Sequence, residues 1–109
     1  MTLPGTLTLE IVTPDREVTR QEVDEVVVPG AEGEMGILPG HTPLLSTLKV
    51  GELWYRQGQD KHFVAIAFGF VEVLPERVTV LAQIAERARI ALMKSLIRLQ
   101  VASRARTRV

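Results

Sequence analysis

With 109 residues, 46% of them hydrophobic and 24% charged, the sequence has the composition of one globular domain rather than of a disordered or fibrous chain. Cysteine is absent, which excludes disulfides and thiolate metal sites, and at this length folding buries about 65% of the unfolded chain's surface, enough for a core without staples. The formal charge of zero hides a division: residues 1–86 hold 6 Lys and Arg against 13 Asp and Glu, a net −7, whereas residues 87–109 hold 7 Lys and Arg and no acid, a net +7.

No apolar run approaches the roughly 20 residues that span a bilayer. Met1-Thr2-Leu3-Pro4-Gly5 lacks the basic start and apolar stretch of a secretion signal, so the reading is of a soluble chain used where it is made. From Leu7 onward, Leu7, Leu9 and Ile11 alternate with Thr8 and Glu10, which predicts a strand with one apolar face. Pro14-Asp15-Arg16 turns the chain. Glu22, Asp24 and Glu25, interleaved with Val23 and Val26, read as the wet side of an antiparallel strand rather than as paired catalytic acids. Val26-Val27-Val28 before Pro29-Gly30 predicts a strand buried on both faces.

Glu52 to Arg56 and Phe63 to Ala67 form a predicted hairpin around Gln57 to Asp60; Phe70 to Leu74 and Val78 to Leu81 form the next, across Pro75-Glu76-Arg77. Short strands at this spacing predict a mainly β chain, an N-terminal antiparallel β-sandwich or flattened barrel over residues 1–84. The period changes near Ile84. From there to about Arg106 there is no Gly or Pro, and Ala, Leu and Arg dominate. Ala88, Leu92, Leu96 and Leu99 recur at helical spacing, widened by Met93 and Ile97, with Arg87, Lys94 and Arg98 opposite, so a single amphipathic basic helix is expected over residues 85–109.

The most heavily specified stretch is Gly33-Glu34-Met35-Gly36-Ile37-Leu38-Pro39-Gly40-His41-Thr42-Pro43-Leu44-Leu45, which spends six Gly, Pro and His positions on a stiff loop that presents Glu34 and His41. Together with Ile11-Val12-Thr13-Pro14 and Val78-Thr79-Val80-Leu81-Ala82, it closely resembles the ε subunits of the F-type ATP synthase, the small rotor subunits of the bacterial and chloroplast enzymes. The match runs from about Leu7 to Glu86. One departure stands out: the family usually carries paired glycines before its Phe-Val-Glu-Val strand, whereas this chain has Phe68-Gly69. Family members typically end in a two-helix hairpin; Ala91 to Val101 resembles the second helix, and the first is missing.

The resemblance implies a non-catalytic central-stalk subunit that joins the γ subunit to the membrane c-ring and couples proton-driven rotation to ATP synthesis. Glu34 and His41 match ring-facing positions, and Thr42, Pro43, Leu44 and Ser46 lie on the γ side. Arg87, Lys94 and Arg98 would contact acidic surfaces of the catalytic β subunits and so brake ATP hydrolysis; the plain alternative is the solvated face of a helix. The implied location is peripheral, on the cytoplasmic face of the bacterial inner membrane, without insertion. Some members bind ATP through an Ile-Asp pattern, but Ile90 is followed here by Ala91, so no nucleotide or other cofactor is expected.

Neither His41 nor His62 has a partner at metal-ligand spacing, and no nucleophile stands beside a base, so no catalytic or metal residue is assigned. The plain reading of His41 is an exposed turn residue. A reading from a different class is a free-standing β-barrel whose basic helix binds nucleic acid or an anionic membrane. Trp54 and Tyr55 are neighbours on a strand and point to opposite faces, so they form no stacking platform, which counts against nucleic acid.

Overall fold

The computed structural model describes residues 5–88, which form eight strands: β1 (Leu7–Val12), β2 (Glu17–Val23), β3 (Glu25–Gly30), β4 (Gly33–Ile37), β5 (Leu44–Leu48), β6 (Gly51–Gln57), β7 (Asp60–Leu74) and β8 (Arg77–Ala88). They make the expected β-sandwich, built by folding one hydrogen-bonded network over on itself. Half of it runs β2-β1-β8-β7-β5; the other half runs β4-β3-β6-β7. β7 belongs to both halves. Its first part, Asp60 to Ile66, pairs with β6 and its second part, Gly69 to Val73, pairs with β5, while β8 follows it along the other edge.

Two findings differ from the sequence reading. Phe63 to Ala67 and Phe70 to Leu74 are one 15-residue strand rather than two. The pairs are antiparallel with one exception among the described residues, the parallel pair β1–β8, in which Leu9 lies beside Val78 and Ile11 beside Val80.

The long strands turn the corner at Phe68 and Gly69. Along β7 the inward residues are Val64 and Ile66 on one side of the corner and Val71 and Val73 on the other, so the alternation slips by one; β8 slips with it, from Val78, Val80 and Ala82 to Ala85. The slip is taken up by Phe68, the one residue other than glycine with a positive φ (57°) among those described. Ala67 and Ile84, then Gly69 and Ala82, keep the two strands paired across it. Bent strands of this kind let one sheet become two layers.

The layers enclose a core of aliphatic side chains that includes Leu7, Leu9, Ile11, Val26, Val28, Ile37, Leu53, Val71, Val73, Val78 and Val80, all fully buried. Each such side chain contributes about 1.5–3 kcal/mol relative to exposure. The predicted apolar face of β1 and the two-sided burial of Val26 to Val28 are both observed. One open side of the sandwich is tied at the β6–β7 hairpin. Gln57 donates from Nε2 to the Gln21 side-chain oxygen (3.1 Å) and to the Glu22 carbonyl (2.9 Å), and the Asp24 amide donates to the Arg56 carbonyl (2.8 Å).

β8 continues as strand through Ala88, so residues 85–88 complete the sandwich instead of opening a helix. The remainder of the expected helix, with Lys94 and Arg98, lies outside the described residues.

Candidate partner-binding surface

The 33–45 stretch divides into three parts. Gly33 to Ile37 is β4, paired with β3; Leu38 to Pro43 is a loop; Leu44 begins β5. Glu34 therefore stands exposed on an edge strand opposite Pro29, not on the loop with His41. The loop is pinned to the β7–β8 turn, since the Gly40 amide donates to the Pro75 carbonyl at 2.7 Å. The same turn receives the start of β1, whose Thr8 amide donates to the Glu76 carbonyl at 2.9 Å. His41 is half-buried, with Nδ1 2.7 Å from the Thr42 carbonyl and its amide donating to the Leu38 carbonyl at 3.2 Å. These contacts hold the ring against its own loop. Thr42 and Pro43 are exposed beside it.

A cleft opens between β4 and β5, lined by Glu34, Met35, Leu44, Leu45 and Ser46 among others. It brings Glu34 together with Leu44 and Ser46, while His41 remains apart at the loop. Next to it, burial and then the charge of Glu34 hold the Glu52 carboxyl above its usual range.

A further apolar feature lies on the outer face of the β5-β7-β8-β1 sheet. Cross-strand partners share a face, and the register sets Thr47 beside Phe70, Phe70 beside Leu81, and Leu81 beside Val12. Phe70 is 46% exposed and Leu81 41% exposed. Phe68 (61% exposed) and Ile84 (54%) extend this row at the corner, and Val12, Thr13 and Pro14 complete a shallow groove with Phe68, Phe70 and Leu81. The neighbouring row on the same face begins with the exposed Leu45 and is polar beyond it: Leu45 beside Glu72, Glu72 beside Thr79, Thr79 beside Glu10, and Glu10 beside Arg20, with which it pairs at 4.0 Å.

Of the residues assigned to the γ side, Leu44 and Ser46 stand opposite the core residues Val73 and Val71, so they share the inner side of β5, and Leu45 between them faces out. Sequence reasoning did not single out Phe70 or Leu81 as surface residues. The signal was present in Phe70-Val71 and Val80-Leu81-Ala82, where residues on both faces of neighbouring strands are apolar although, among the described residues, one face has no layer above it.

Arg87 lies on β8 rather than on a helix. It donates from Nη1 to the hydroxyl of Tyr55 at 3.1 Å, and Tyr55, itself buried, stacks on His62 at a centroid distance of 5.0 Å. Lys61 caps the same hairpin by placing Nζ 4.3 Å above the Trp54 ring. Among the described residues no group of three His, Cys, Asp or Glu gathers to hold a metal, and no helix is long and apolar enough to cross a membrane.

Residues 6–88 match the model of the ATP synthase Delta/Epsilon chain β-sandwich domain. The chain is 60% identical over 80 residues to the ATP synthase epsilon chain of Syntrophobacter fumaroxidans, covering 73% of this chain and 60% of that one. It is 54% identical over 80 residues to ATP synthase epsilon chain 2 of Syntrophotalea carbinolica, covering 73% and 58%. It thus spans about 60% of the length of these relatives. Among solved structures, a chain in the mitochondrial ATP synthase of Euglena gracilis (OSCP, F1 and c-ring) superposes with a TM-score of 0.81 at 24% identity, over 96% of this chain and 68% of that one. A chain of the central stalk and c-ring of the Tetrahymena thermophila enzyme gives 0.66 at 12% identity, over 94% and 95%. At those identities the superpositions establish the fold alone, but the sequence match over most of the sandwich establishes more: this chain belongs to the ATP synthase Delta/Epsilon chain family, and residues 6–88 are its β-sandwich domain.

Proposed function

We propose that the chain is the ε-type subunit of a rotary ATP synthase, a non-catalytic rotor part that joins the γ subunit to the c-ring and passes proton-driven rotation to the catalytic head. The observation that carries this reading is the exposed apolar row of Phe70, Leu81 and Phe68 on a rigid sheet, in a domain of this family. Contiguous exposed apolar side chains on a small soluble domain mark an interaction surface, and torque transmission needs a broad, well-packed one. A hydrogen-bonded sandwich whose two halves share β7 supplies the stiffness. Leu45 and the loop residues Thr42 and Pro43 extend the shaft side towards the end of the sandwich, and His41 with Glu34 supplies polar groups towards the ring.

The location that follows is peripheral, at the cytoplasmic face of a bacterial inner membrane. The basic segment beyond residue 88 carries the braking role, through Lys94 and Arg98, by attraction to acidic surfaces of the β subunits. Arg87, held by Tyr55 in the sandwich, is a poor candidate for that brake.

The test is reconstitution. Enzyme stripped of its own ε subunit and reinserted into vesicles regains ATP-driven proton pumping when this chain is added. Binding without recovery of pumping, or no binding, would contradict the coupling role.

A further inference from the structure

The end of β8 is made of residues that do not suit a strand. Its first half, Arg77 to Leu81, holds Val78, Thr79 and Val80 and runs between β1 and β7. Its last four residues, Ala85, Glu86, Arg87 and Ala88, include no β-branched or aromatic side chain, and Ala, Glu and Arg are all good helix formers. The two halves meet at a break in the ladder, since Gly69 pairs with Ala82 and Ala67 with Ile84, leaving Phe68 and Gln83 out of the register. Beyond the break the strand places little in the core. Ala85 buries one methyl group beside Ile66, and Arg87, beside Val64, reaches the hydroxyl of buried Tyr55. A segment whose local preference opposes its tertiary setting is held by the contacts of that setting, and the polar one here is the hydrogen bond from Arg87 to Tyr55.

We propose that residues 84–88 are a two-state segment: a strand end latched by Arg87 on Tyr55, which on release of that hydrogen bond peels from β7 at the corner and winds into a helix with the residues that follow it. The run from Ala85 to Arg106 carries no Gly or Pro, so residues 85–88 extend a helix at its N-terminal end without a new nucleus. Glu86 then lies in the first turn, where a carboxylate suits the positive end of the helix dipole. Arg87 comes onto the side of Lys94 and Arg98, seven and eleven positions on, so a residue that the strand state keeps in the sandwich joins the basic face in the helical one. Tyr55 is held separately by its stack on His62, which gives the latch a stationary half. The switch is a property of the chain alone and needs no rotor partner.

The experiment is carbon-13 saturation-transfer NMR on the full 109-residue chain, which reads the Cα shifts and the population of a minor state. The unaltered chain is expected to show strand shifts at residues 85–88 and a minor state with helical shifts there, while Val78 and Val80 remain strand. Arg87→Ala and Tyr55→Phe cut the latch from its two ends, and each is expected to raise the helix-to-strand ratio about tenfold. Glu86→Thr, a change at an exposed position to a residue that favours strands, is expected to lower it severalfold. Minor-state shifts at coil values would mean fraying without a helix, and a minor state shared with Val78 and Val80 would mean opening of the whole sheet; either result overturns the switch. So does a ratio within about twofold of the unaltered chain in both latch variants, or the lack of any minor state in all four chains.

Discussion

Gly69 lies against the backbone of Leu81 so closely that a methyl group on it would overlap the Leu81 carbonyl oxygen and stand 2.8 Å from the Ala82 Cα. The obstacle is backbone on a paired strand, which cannot swing aside as a side chain could. Gly69→Ala is therefore expected to cost about 3 kcal/mol, by prising β7 from β8 at the corner. Urea denaturation checks it, and a loss below about 0.5 kcal/mol would mean that the corner is softer than it looks.

Tyr55 tests the two halves of core energetics at one site. It is buried, and its hydroxyl accepts from Arg87 at 3.1 Å. Tyr55→Phe keeps the ring and forfeits the hydrogen bond, for about 1 kcal/mol. Leu53→Ala, one alternation away and fully buried, removes packing and leaves a void, for about 2–5 kcal/mol. The comparison by denaturant midpoint at equal slope should rank Leu53→Ala well above Tyr55→Phe.

Glu52 makes stability depend on pH in a defined sense. Burial and then Glu34 raise its carboxyl above 4.5, so the folded chain holds the proton more tightly than the unfolded one. Below 4.5 both states are protonated and no penalty exists. As pH rises through 4.5 and the higher folded value, ionised Glu52 destabilises the fold. Glu52→Gln should therefore raise the melting temperature at pH 7 and have no such effect near pH 3.5, and melting curves at the two values decide it. Glu34→Gln should produce part of the same gain.

Arg56 ties the turn between β2 and β3 to the β6–β7 hairpin, donating to Glu25 at 3.2 Å and to the Gly58 carbonyl at 2.8 Å, and pairing with Asp24 at 3.8 Å. Asp24 in turn accepts from the Gly58 amide at 2.6 Å. Arg56→Ala is expected to cost about 1 kcal/mol, since the cluster is partly exposed. Asp24→Ala should speed hydrogen exchange at the Gly58 amide with little change at the core amides of β1. Unchanged exchange at Gly58 would show that Asp24 does not hold the hairpin.

The sequence was legible wherever burial follows alternation. Leu7, Leu9 and Ile11, the Val26–Val28 run and both hairpin turns could be read because each residue's face is set by a period of two. The corner could not be read in the same way. Residues 85–88 read as the start of a helix because the Gly- and Pro-free, Ala- and Arg-rich run begins there and Ala88 falls in register with Leu92, yet the phase slip in β8, with Ala82 and Ala85 both inward, lets them finish the sandwich. The same slip at Phe68 hid the continuity of β7. Glu34 read as a loop residue because glycines flank it on both sides, yet β3 supplies it with a ladder that no local signal encodes. The residues of the apolar face could not be picked out for a related reason: Phe70 and Leu81 look like core residues until the layer that would cover them proves to be missing among those described.

The most direct measurement is light scattering on a gel-filtered mixture of this chain with the γ subunit from the same source. The account predicts a stable one-to-one complex that elutes ahead of either component. Two separate peaks at their individual masses, with γ shown to be folded, would contradict it.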